Sequence, residues 1–194
     1  EDGGQLWKNI SDGYFKTSSI GAVAVSESDP NIIYVGMGEH APRAVMTSYG
    51  DGVYKSTDAG KTWKNIGLKN TQHISIVVIH PKNPNIVFVA AQGALYGPNK
   101  ERGIFKSVDG GVTWNKILYV NNLTGCSELS MDYSNPLVMY AAMWEHQRLP
   151  WKVISGGPGS GLYKTTDGGI TWNQIHNGLL KEKGKLAIAG RRSN

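Results

Sequence analysis

Ser56-Thr57-Asp58-Ala59-Gly60-Lys61-Thr62-Trp63 returns as Ser107-Val108-Asp109-Gly110-Gly111-Val112-Thr113-Trp114, and again as Thr165-Thr166-Asp167-Gly168-Gly169-Ile170-Thr171-Trp172. The phrase S/T-x-D-x-G-x-T-W thus closes on Trp63, Trp114 and Trp172, 51 and then 58 residues apart. A decayed copy opens the chain, where Asp2, Gly4 and Trp7 keep the same offsets and Leu6 takes the Thr slot. Self-similarity at a period of this size marks an array whose unit is one supersecondary element.

Each phrase lies between two strand-type runs. Gly52-Val53-Tyr54-Lys55, Gly103-Ile104-Phe105-Lys106 and Gly161-Leu162-Tyr163-Lys164 precede it, and runs ending at Ile66, Ile117 and Ile175 follow. The phrase therefore reads as a hairpin corner. Its Asp accepts bonds from backbone amides ahead of it, its Gly supplies positive φ, and Thr and Trp start the next strand. Asp29-Pro30, Asn83-Pro84 and Asn135-Pro136 each introduce a further apolar strand, and one more strand precedes each of these turns. Four short antiparallel strands per period describe a propeller blade, so the predicted class is all-β. Blades are expected over 18–66, 72–117 and 124–175, with 1–10 as the last strand of a preceding blade and 184–194 as the start of the next.

The phrase resembles the Asp-box, or BNR repeat, of sialidase-like, sortilin-like and xyloglucanase-like β-propellers. The wording around the boxes is most similar to the sortilin-like group of large secreted bacterial proteins. That resemblance implies a secreted or cell-envelope setting, and a binding or scaffolding module for a peptide, protein or glycan. It also implies an alternative, a fragment of a glycoside hydrolase acting on polysaccharide. Propeller rings close with about four to eight blades. Three blades therefore imply an incomplete ring, with the remaining blades of the same propeller as partners.

Composition narrows the function further. The net charge of +5 over 194 residues is spread along strands and turns with no dense basic block, which argues against nucleic acid. No apolar run approaches the length of a membrane span. A single cysteine, Cys126, excludes an intrachain disulfide and is expected as a small core residue. No cofactor or metal is expected. Ser155 to Gly161 imitates a phosphate-cradling loop, but Pro158 interrupts it and a strand follows. The five histidines lack metal-ligand spacing, and the boxes lack the alternating carboxylates of a calcium loop. The Arg-Ile-Pro motif of sialidases is missing.

Strand order gives the chain two ends, and the loops joining second to third strands share one end with the interblade loops. Those second-to-third-strand loops vary most in length, and variable loops on one face of a repeat are often the binding surface. The first carries Glu39, His40 and Arg43. The second carries Gln92, Tyr96 and Arg102, and the third Trp144, Glu145, His146, Arg148 and Trp151. Gln72 and His73 approach from an interblade loop. Glu39 and Glu145 occupy matching places in their blades. Glycoside hydrolysis needs two carboxylates across a cleft, which makes this pair the catalytic candidate. The other reading of the pair is repeat descent, with each carboxylate capping a strand end or pairing with Arg43 or Arg148. Trp144 and Trp151 could stack on a sugar or cover the gap between blades. A third functional option, an assembly factor like the photosystem propellers, calls for Arg43, Arg102 and Arg148 on one face.

Overall fold

The computed structural model describes residues 3–40 and 48–189. Among them, thirteen strands and one short 3-10 turn, Lys69–Thr71, form three antiparallel sheets in chain order. The first sheet holds β1 (Ile20–Val25), β2 (Ile33–Met37), β3 (Val53–Ser56) and β4 (Lys64–Asn65). The second holds β5 (Ile74–His80), β6 (Asn83–Ala91), β7 (Gly103–Ser107) and β8 (Asn115–Leu118). The third holds β9 (Thr124–Met131), β10 (Met139–Leu149), β12 (Gly161–Thr165) and β13 (Asn173–Ile175). Its β10 runs past the blade and pairs with β11 (Lys152–Ser155), so the longest of the variable loops is a projecting hairpin. These are β-propeller blades.

The box builds its corner by the chemistry expected of it. Ser56 Oγ donates to Asp58 Oδ1 at 2.8 Å and accepts the Gly60 amide at 2.8 Å. Asp58 in turn accepts the Thr62 amide at 2.8 Å and the Thr62 hydroxyl at 2.6 Å. The same four bonds recur around Asp109 and Asp167. The two residues after each Asp take positive φ: 60° and 84° at Ala59-Gly60, 72° and 92° at Gly110-Gly111, and 71° and 87° at Gly168-Gly169. Gly3 and Gly4, at 69° and 85°, repeat this turn in the decayed first copy; Asp2 lies outside the described residues.

Period-2 alternation lets the second sheet bury both faces, one against each neighbour. Val77, Ile79, Val87 and Val89 face the first sheet and pack with Tyr34 and Val53. Val78, Phe88 and Ala90 face the third and pack with Cys126, Leu129, Met139 and Met143. Cys126 is fully buried, as expected, and burial pushes its thiol far above the ordinary value. The second box glycine is also a point of close approach between sheets. A Cβ at Gly111 would fall 2.3 Å from Ile66 Cδ1, and one at Gly169 would fall 2.6 Å from Ile117 Cδ1.

Two expected edge strands are not strands. Residues 7–10 and 184–189 pair with no described strand, because a ladder needs a hydrogen-bonding neighbour and none of the described residues supplies one. Ile10 nevertheless stands where a preceding blade would put it. Its carbonyl accepts the Trp63 indole at 2.9 Å, as the Ile66 carbonyl accepts that of Trp114. The third blade's first strand begins at Thr124. Arg43, a candidate contact residue, lies outside the described residues.

Candidate functional site

The long-loop ends of all three sheets converge on one buried polar cluster. His73, wholly buried at the entry to β5, places Nδ1 3.0 Å from the Glu39 carbonyl, and its own carbonyl accepts the Gln92 amide at 2.9 Å. Arg102 is also wholly buried. Its guanidinium donates to the carbonyls of Gln92 at 3.0 Å, Gly97 at 3.3 Å and His146 at 3.3 Å, and also to that of Ala94. Its work is to pin the second blade's loop to the third blade, so it presents no charge to a partner. The assembly-factor option called for Arg102 on one face with Arg43 and Arg148; its side chain is instead buried against main-chain carbonyls scattered along the chain.

The cluster is held neutral where it can be. Burial pushes the His73 imidazole down to about 4. Burial does the same to His146, with the Arg148 and Arg102 charges adding to it, and also leaves it near 4. His40 is lowered by burial and then by Lys185, and burial takes Arg102 down to about 10. Trp144 is only 3% exposed and stacks on His146 at 4.1 Å between ring centroids, while Lys185 lies 5.7 Å from the Trp144 ring. Trp144 therefore fills the gap under the face and offers no platform to a ligand. Lys185 escaped the sequence reading, since it sits in an irregular segment with no motif.

The two carboxylate candidates both occupy this end and both serve loops. Glu145 is tied to the 156–160 loop three times: its amide donates to Ser160 Oγ at 3.0 Å, its carbonyl accepts the Gly156 amide at 2.9 Å, and its Oε2 accepts the Gly159 amide at 2.9 Å. Glu39 exchanges backbone and side-chain bonds with Ser48, the Ser48 amide reaching Oε2 at 3.4 Å. Gln72, at positive φ of 60°, uses its carbonyl to accept the Gly50 amide at 2.7 Å.

The exposed candidates form a separate surface above this cluster. Tyr49, between β2 and β3, packs near His73 at 5.7 Å and edge-on to Tyr96 at 6.3 Å. Tyr96 and the β10–β11 hairpin then bound an open groove of about 590 Å³, lined by Tyr96, Arg148, Pro150, Trp151, Lys152 and Val153. Trp151, at the hairpin tip, is 76% exposed. Tyr49 was not among the residues singled out from sequence, because its loop offered no pattern to isolate it. The structure thus brings Tyr96, Arg148 and Trp151 together, and sinks His73, Trp144 and His146 beneath them.

No group of three or more His, Cys, Asp or Glu among the described residues is placed to hold a metal ion. No described helix is long and apolar enough to cross a membrane.

Comparison with known proteins agrees with this architecture. The BNR/Asp-box repeat model matches residues 54–65 and 163–174. The chain is 27% identical over 189 residues to the xyloglucanase Xgh74A of Acetivibrio thermocellus, a match covering 87% of this chain and 21% of that protein. The crystal structure of a GH74 enzyme from Niastella koreensis superposes with a TM-score of 0.54 at 24% identity, covering 79% of this chain and 21% of that one. YCF48 from Cyanidioschyzon merolae superposes with a TM-score of 0.50 at 18% identity, covering 83% and 38%. The chain spans about one fifth of the length of the xyloglucanase it matches. It carries Asp-box (BNR) repeats at the hairpin corners of β-propeller blades, and over this stretch it is similar to the xyloglucanases.

Proposed function

We propose that the long-loop face is a carbohydrate-contacting surface, in a propeller that further blades complete and that works outside the cytoplasm. The observation that carries this reading is the aromatic groove, in which exposed Tyr96 and Trp151 flank an open channel of about 590 Å³ and Tyr49 extends the row. Flat aromatic rings bury the apolar face of a sugar, while neighbouring polar groups take its hydroxyls. An open groove suits a chain molecule better than an enclosed pocket would. The xyloglucanases to which the chain is similar act, by their name, on a polysaccharide, which supports a glycan over a peptide. Calorimetry of the full chain with a panel of cell-wall oligosaccharides tests it. Trp151→Ala and Tyr96→Ala should each weaken binding about tenfold, the scale of one lost stacking contact.

A second reading, that the chain is part of a hydrolase with Glu39 or Glu145 as acid or base, draws support from those same relatives. Turnover of xyloglucan by a propeller containing this chain, abolished by Glu145→Gln with binding intact, would establish it.

A further inference from the structure

We propose that the groove selects a carboxylate-bearing sugar, such as a uronic acid unit, over a neutral one; this rests on the carbohydrate reading above. Its lining holds two cations, Arg148 and Lys152, and no acidic residue. Arg148 is 7% exposed, and its Nε is buried without a hydrogen-bond partner among the described residues. The ion pair found among the described residues, Lys116 to Glu101 at 3.8 Å, lies elsewhere. Below the groove Arg102 is wholly buried and bonded to main-chain carbonyls.

A buried guanidinium N–H left without a hydrogen-bond partner is costly. An incoming carboxylate would meet the Arg148 fork in the two-point geometry that guanidinium favours. Trp151 and Tyr96 would take the sugar ring, and exposed Lys152, opposite Leu149 in the hairpin, would close the charge from the tip. A neutral sugar would satisfy the rings and leave both cations unmatched. The groove is therefore built for a ring with an acid on its edge.

The test titrates the full chain with trigalacturonate and with a neutral xyloglucan heptasaccharide, at low salt and at high salt. Trigalacturonate should bind about tenfold or more tightly than the neutral sugar, and only its affinity should fall with salt. Arg148→Gln should erase the preference for trigalacturonate. Lys152→Gln, on an exposed side chain that folding does not need, should reduce it in the same direction. Equal affinity for the two sugars, with Trp151→Ala abolishing both, would overturn the acid preference and leave the carbohydrate reading standing. Binding of neither sugar would overturn both. Tighter binding of a poly-glutamate peptide than of either sugar would overturn the choice of an acidic glycan.

Discussion

The indole Nε1 of Trp114 donates to the carbonyl of Ile66 at 2.9 Å, joining the last strand of one blade to the box of the next. Trp63 makes the same bond to Ile10 at 2.9 Å. Lysines add a second clamp between neighbours: Lys55 Nζ donates to the Gly110 carbonyl at 3.1 Å and Lys106 Nζ to that of Gly168 at 2.9 Å. The box thus shapes a hairpin within its own blade and also docks that blade on the one before. This explains why Asp, Gly and Trp recur as a set.

Trp114→Phe keeps an aromatic ring at this junction and removes its donor. It should cost about 1 kcal/mol, the usual net value of one hydrogen bond, with more if the Ile66 carbonyl is left dry. Trp172 provides the internal comparison, since its Nε1 has no hydrogen-bond partner among the described residues. Trp172→Phe should therefore cost less than Trp114→Phe in urea denaturation.

Acid should destabilise the chain in two separable windows. His73 and His146 are held near 4 against an ordinary 6.5, so the unfolded chain takes up protons first. Their contribution is whole above about pH 6.5 and declines as pH falls toward 4. The box aspartates are lowered by bonds from the Thr hydroxyl and then the Thr amide, Asp58 to about 2 and Asp109 and Asp167 further. Their stabilisation is whole above the ordinary 3.8 and is lost as pH falls through about 2. Denaturation midpoints across pH should show both declines. His146→Phe should flatten the upper one alone, and Asp109→Asn should lower stability at neutral pH while flattening the lower one.

Gly36 marks a tight side-chain contact between the first two blades. A Cβ there would fall 2.4 Å from Ile74 Cγ2 and 2.9 Å from Ile74 Cβ. Gly36→Ala should cost about 1–3 kcal/mol by overpacking. In the Ile74→Ala background the same change should cost less, because the clashing branch is gone. Gly97→Ala, with nothing within 4 Å of its Cβ, should be nearly silent.

The blades were legible in the sequence because their signals are local. Asp58, Gly60 and Trp63 lie within six residues of one another, and the corner they form needs no distant partner. The candidate site was legible only in part. Length variation singled out one end of the blades, and Tyr96, Arg148 and Trp151 share a groove there. Depth was not legible, because Trp144 and Trp151 look alike in sequence. One packs against His146, and the other rides a hairpin made when β10 overruns its sheet. Arg102 misled for a similar reason. Its four acceptors are main-chain carbonyls, and no side-chain pattern announces them.

The most direct test of the glycan-binding account follows the six indole N–H resonances of the full chain by NMR as trigalacturonate or xyloglucan heptasaccharide is added. The account predicts that the Trp151 signal shifts and saturates, while those of Trp63, Trp114 and Trp172, at the hairpin corners, stay in place. A Trp151 signal unmoved by either sugar at millimolar concentration would contradict it.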